Sequence, residues 1–235
     1  PGETYEKADF FEKRSIPVRH QSVNAGSYAI VHPAPKLEPW RKIRFSIYVY
    51  PTIPNAGKQP IITWGDLRLT IDENCKFRLE ALEQEISTTS NILTRHWYHV
   101  SAIVDLDNKH LALETRMRKE EIVCPAKEIV RGDFNGHLSL QSKYPLLFAA
   151  STRGSPDSSN ISSEKFNGKL EAPEIWIDSC LEPSIRWDFS RNIDTEKILD
   201  IGSGGFHGVL VNTPMRAATG HNWDGSIESH AQDPS

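Results

Sequence analysis

The chain has 235 residues, 38% of them hydrophobic and 25% charged, with a formal net charge of −4. A chain of this length buries about 70% of its unfolded surface and needs no disulfide or metal to hold a core. The acidic balance gives no basic footprint for nucleic acid, and no run approaches the roughly 18 apolar residues of a membrane helix, so neither is expected as a partner.

Residues 1–25, opening "PGETYEKADFFEKR", are charged and weakly patterned and read as a lead-in segment. "GSYAIVHP" (26–33) has the β-branched and aromatic content of a short strand, closed by Pro33. In "PWRKIRFSIYVYPTIP" (39–54), Ile43, Phe45, Ile47 and Val49 fall on one face. Arg44, Ser46, Tyr48 and Tyr50 fall on the other, and Pro51 and Pro54 end the run. "QPIITWGD", "LRLTID", "KFRLEALE" and "HWYHVSAIVDLD" are strand-length runs bounded by turn residues or charges. "HLALETRMR" follows an Asp107-Asn108 turn, after which the pattern blurs up to "KEIVRGDF" and admits a short helix or a long loop. "LSLQSKYPLLFAAS" supplies two strands around a proline, and "RGSPDSSNISSE" (153–164) is a loop by composition. "KFNGKLEAPEIWID" returns to strand around an Asn167-Gly168 hairpin turn. Many short strands at regular spacing predict an all-β fold, a two-sheet antiparallel sandwich with irregular terminal segments.

The three cysteines, Cys75, Cys124 and Cys180, are odd in number and far apart, which fits reduced thiols and a cytoplasmic protein. Asn160-Ile161-Ser162 matches a glycosylation acceptor, but no signal peptide is visible, and Pro1 in place of Met suggests a processed or excised chain.

Few residues carry a chemical signature. His96 and His99 stand three apart on a strand, so they point to opposite faces and do not chelate one ion. "DLDNKH" fails as an EF-hand, with His110 in the glycine position and Arg116 in place of the final Glu. A calcium rim site on Asp105 or Asp107 competes there with plain Asx turns. "GSGGFHG" (202–208) has His207 where a dinucleotide loop needs glycine, and strand rather than helix follows. The Glu-x-Asp-x-Glu run of a jelly-roll glycosidase is absent: Glu83 and Glu85 stand alone, and Glu171 and Glu174 straddle Pro173. No Gly-x-Ser-x-Gly elbow occurs. Among the tryptophans that could stack on a sugar (Trp40, Trp64, Trp176 and Trp223), Trp64 and Trp176 lie within strands and read as structural. Arg216, His221, Asn222, Trp223 and Asp224 combine charge, hydrogen bonding and a flat apolar face beside Gly220 and Gly225. They read as a domain or subunit contact.

The succession "GSYAIV", "RFSIYVYPT", "IITWGDLRLTID", "HWYHVSAIVDLDNKHLAL" and "FNGKLEAPEIW" resembles the laminin-G-like, concanavalin A-like jelly roll over about residues 26–178. "WDFSRNIDTEKILDIGSGGFHGVLVNTPMRAATGHNWDG" (187–225) resembles the segment after the lectin-like domain in the large subunit of N,N-dimethylformamidase. In those amidohydrolases a concanavalin A-like domain sits beside an iron-containing catalytic domain. The resemblance implies a sandwich over 26–186 and an extension over 187–235 that packs on it or leads to a catalytic domain lying elsewhere. The family's tyrosine and glutamate iron ligands match no position here, so no catalytic residue is expected in this chain and any iron belongs to that other domain. The implied role is accessory, with the catalytic domain of the same polypeptide and neighbouring subunits as partners. The alternative is a free-standing laminin-G-like carbohydrate-binding module.

Overall fold

The computed structural model describes residues 26–37, 39–118, 127–153, 161–216 and 220–221. The expected lead-in segment, Cys124, Asn160, Asn222, Trp223 and Asp224 lie outside them, as does most of the blurred stretch after Met117. The elements in chain order are β1 (Tyr28–Val31), β2 (Lys42–Pro51), β3 (Gln59–Trp64), β4 (Leu67–Ile71), β5 (Phe77–Ala81), β6 (Gln84–Ser87), β7 (Tyr98–Asp105) and β8 (His110–Met117). There follow β9 (Lys127–Asp133), β10 (Leu146–Phe148), β11 (Ala150–Thr152), β12 (Ile161–Lys165), β13 (Gly168–Ile177), β14 (Ile185–Asp188), β15 (Lys197–Asp200) and β16 (Gly208–Val211). The fold is all-β, and the "LSLQ" run before β10 is not strand.

Fourteen strands form one curled antiparallel ladder in the order β6-β5-β4-β3-β10-β1-β16-β15-β14-β13-β2-β7-β8-β9, and β11 and β12 pair separately. The expected pair of sheets is thus one sheet folded over, its two layers joined where β14 meets β15. The alternation in β2 explains the packing: Ile43, Phe45, Ile47 and Val49 are all essentially inaccessible. Across the core Phe45 meets Trp64 of β3 edge-on at 6.2 Å, and Phe77 of β5 meets Tyr98 of β7 at 5.3 Å. Burying a side chain of this size contributes about 1.5–3 kcal/mol. Trp64 also donates its indole N–H to Gln141 O at 3.1 Å, which satisfies the one polar atom it takes inside.

The free edges of the ladder close on each other. Gly132 of β9 lies so near β6 that a Cβ there would stand 2.5 Å from Ile86 Cγ2. Glu128 of β9 accepts a hydrogen bond from the Thr89 hydroxyl at 2.8 Å and one from the Ser90 N–H at 3.3 Å, just past the end of β6. Covering edges in this way removes them as templates for another chain.

The structure corrects two expectations about chain organisation. The boundary placed between 186 and 187 falls inside β14, and residues up to Val211 belong to the sheet. β16 pairs with β1 through Ala29↔Leu210, and β15 bridges β14 and β16. Buried Ile198, Trp187 and Leu210 make that union hydrophobic. Asn167-Gly168 is not a hairpin turn, because β12 pairs with β11 while β13 pairs with β2 and β14. Glycine is needed at 168 for another reason: a Cβ would lie 2.2 Å from the Tyr50 carbonyl oxygen.

Candidate functional site

The outer face of the β13-β2-β7-β8 layer carries what the alternation left out of the core. Tyr48 of β2 pairs with His99 of β7 and with Glu171 of β13. Ser46 pairs with Ser101 of β7 and with Glu174 of β13. Register shifts by one residue between Glu171 and Glu174, where Ala172 takes φ +46° ahead of Pro173. This bulge keeps both glutamates on one face although they are three apart, which strict alternation forbids. Pro173, which the two glutamates straddle in sequence, is part of the bulge that aligns them.

Around Tyr48 the side chains form a shallow aromatic recess. Tyr48 lies 4.8 Å from the His99 ring, and Tyr50 lies 5.1 Å from Trp97. The His221 imidazole stacks on Tyr48 at 3.6 Å with a 14° tilt and meets Trp97 edge-on at 6.3 Å. Glu171 completes the enclosure: its Oε2 accepts the His221 backbone N–H at 2.7 Å and lies 2.9 Å from His221 Nδ1. The second contact is an ion pair whenever the imidazole is protonated. Burial pushes the Glu171 carboxyl up, but the hydrogen bonds and charge of His221 outweigh it and the net direction is down. His99 is lowered by burial first, then by Arg44, His221 and Arg116, with Glu114 opposing. Arg44 lies over the Trp176 ring at 4.2 Å, and its buried Nε has no hydrogen-bond partner among the described residues.

Beside the recess opens a cleft of about 580 Å³. Its lining includes Trp97, Leu170 and Glu171, the rings of Phe148, Phe166 and Phe189, and Met215 and Arg216.

Of the residues singled out from sequence, His221 enters the recess and Arg216 does not. The Arg216 guanidinium donates to backbone carbonyls of one loop: Nε to Phe189 O at 2.8 Å, and Nη1 to Asn192, Thr195 and Lys197 O at 2.8, 3.1 and 3.1 Å. Nη2 reaches Arg191 O as well. Asp105 is buried and holds the Asn108 N–H at 2.9 Å and the Asn108 amide at 3.0 Å, with Lys42 Nζ at 3.4 Å. Asp107 pairs with the Arg41 guanidinium. Both carboxylates are therefore engaged by protein donors in a turn, and no group of three or more potential metal ligands occurs among the described residues. The glycine-rich "GSGGFHG" loop is organised by Asp200, which accepts N–H groups of Arg186, Gly202 and Phe206 at 3.1, 2.9 and 2.9 Å. Trp40 and Trp64 are core residues, and Trp176 is capped by Arg44. Tyr48 and Trp97 were not singled out, and His99 and Glu171 were weighed only in other pairings, with His96 and with Glu174, and set aside; the polar face of β2 was the available signal for Tyr48.

Comparison with known proteins adds to this geometry. No family model matches the sequence. The fold is that of a jelly roll: a Bacteroides ovatus protein, provisionally named a carbohydrate binding protein, superposes with a TM-score of 0.58 at 12% identity, over 78% of this chain and 55% of its own. The LG1-3 region of the laminin alpha2 chain aligns less closely, with a TM-score of 0.48 at 11% identity over 68% of this chain and 31% of its own. In sequence the chain is distantly homologous to the N,N-dimethylformamidase beta subunit. It is 26% identical to the Paracoccus aminophilus protein over 100% of this chain and 36% of that one. The Alcaligenes sp. protein is 23% identical over 93% of this chain and 34% of its own length. The chain spans about a third of the curated relatives it matches.

Proposed function

We propose that this chain is a non-catalytic structural and interaction domain of an amidohydrolase related to N,N-dimethylformamidase, the whole enzyme hydrolysing small N-substituted formamides to formate and an amine. The observation that carries the reading is the homology itself, which runs the full length of this chain against about a third of the beta subunit. Chemistry is then assigned to the remaining two thirds, with any iron held there in a cytoplasmic enzyme. The surface supports a packing role. Leu181 is 96% and Met215 88% exposed, and Ile193, Ile201 and Val209 are also exposed in the same late part of the chain. Each leaves apolar surface in water that a partner could cover.

The test is an amide-hydrolysis assay with N,N-dimethylformamide. It is run on this chain alone and on the full polypeptide of its native reading frame, with gel filtration to detect complex formation between this chain and the remainder. The reading expects hydrolysis by the full polypeptide, none by this chain, and a complex. Hydrolysis by this chain alone, or a reading frame without a further domain, refutes it. The aromatic cleft and the Bacteroides ovatus neighbour support a second reading, a carbohydrate-binding module, for which saturable glycan binding that depends on Trp97 is the sign.

A further inference from the structure

We propose that the recess of Tyr48, Trp97 and Glu171 is a binding site for a planar cation bearing N–H groups, such as an imidazolium or amidinium, and that His221 is its tethered occupant. What fills the recess defines the chemistry it accepts: a flat ring lies on the Tyr48 face at 3.6 Å, bounded by the edge of Trp97, with a ring nitrogen 2.9 Å from a carboxylate oxygen. An aromatic floor together with an anionic wall is selective for flat cations over neutral or anionic rings. Glu171 is half-exposed, so it can serve a ligand arriving from solvent.

The recess is also continuous with space that His221 does not fill. Trp97 and Glu171 are shared with the 580 Å³ cleft, and Gly220 borders both. The backbone at Gly220 runs so close that a Cβ there would stand 2.9 Å from both Glu171 oxygens, and His221 gives its own N–H to the same carboxylate. Withdrawal of residues 220–221 therefore frees the carboxylate and the Tyr48 face together, and extends the aromatic cleft to the recess. A ligand of this class and His221 compete for one place.

The experiment titrates imidazole into the 235-residue chain at about pH 6, where the probe is largely protonated, following the Trp97 indole and Tyr48 ring resonances by NMR. His221→Gly is expected to bind at least about tenfold more tightly than wild type. Adding Glu171→Gln to that variant should weaken binding by about tenfold. His221→Phe, which keeps a ring on Tyr48, should remain closed to the probe. Equal binding by His221→Gly and wild type, or binding indifferent to Glu171→Gln, overturns the proposal. Should His221→Gly not fold, the wild type decides. Excess imidazole must abolish the nuclear Overhauser contact between His221 and Tyr48 while the fold persists, and a contact that survives saturating probe overturns the proposal.

Discussion

Replacing Arg216 with alanine tests whether this residue is a fastener rather than a contact for a partner. Its guanidinium holds the carbonyls of Phe189, Arg191, Asn192, Thr195 and Lys197, so one side chain fixes the whole connection between β14 and β15. A hydrogen bond from a charged donor contributes about 1.5–3 kcal/mol when buried. Most of these carbonyls are exposed and can turn to water, and only the Phe189 contact is partly buried. The expected loss is therefore that of one or two such bonds, about 2–3 kcal/mol, rather than five. For a chain of this size that corresponds to a fall in Tm of roughly 4–12 °C. Urea unfolding should show a lower midpoint with an unchanged slope, and hydrogen exchange should accelerate in 189–197 before the core strands. Arg216→Lys should recover less than half, because one ammonium cannot face five carbonyls arrayed around a planar fork. A variant with wild-type Tm and wild-type exchange in 189–197 would refute the reasoning and return Arg216 to the surface.

Two further predictions follow from the edges and the recess. Gly132→Ala should cost about 1–3 kcal/mol by driving its Cβ into Ile86; in urea unfolding the pair Gly132→Ala with Ile86→Ala should be more stable than the sum of the single effects, and strict additivity would refute the closed edge. Glu171→Gln should cost about 1–2 kcal/mol at neutral pH. Because the folded carboxyl is held below its ordinary value, the stability it confers is present above that value and is lost as pH falls through the lowered one, so the gap between wild type and variant in thermal melts should close in acid. A gap that stays constant down to acid would show that the Glu171 charge stabilises nothing.

The sequence disclosed most where one strand's pattern is sufficient. The β2 face Ile43-Phe45-Ile47-Val49 is core because alternation alone sends those side chains inward. β15 and β16 were not legible as part of the sandwich: each has four residues, and what identifies them as central is pairing with chain far away, as Leu210 does with Ala29. The β5–β6 hairpin was hidden by its turn, where Leu82 takes φ +54° without the glycine or asparagine that would signal it. In the site, His221 was visible as a chemically capable residue, but its partners Tyr48 of β2, Trp97 just ahead of β7 and Glu171 of β13 are far apart in the chain and meet only through the pairing of those strands. The bulge at Ala172–Pro173 reverses the parity on which any face assignment of Glu171 and Glu174 would rest.

These hidden elements form one piece of architecture. β14 to β16 join the two layers, so the chain up to Val211 cannot leave the sandwich without opening its sheet. Beyond it, Asn212 gives its side-chain amide to the Gly26 carbonyl at 2.6 Å, Arg216 grips the 189–197 loop, and His221 enters the recess on the outer face. Each of these attachments is a polar or stacking contact. The sheet strands owe their place to Ile198, Trp187 and Leu210 inside the core. Residues 212–216 and 220–221 should therefore detach at lower free energy than the strands before them, which is the property a segment needs if it is to exchange its contacts for those of a ligand or a partner domain.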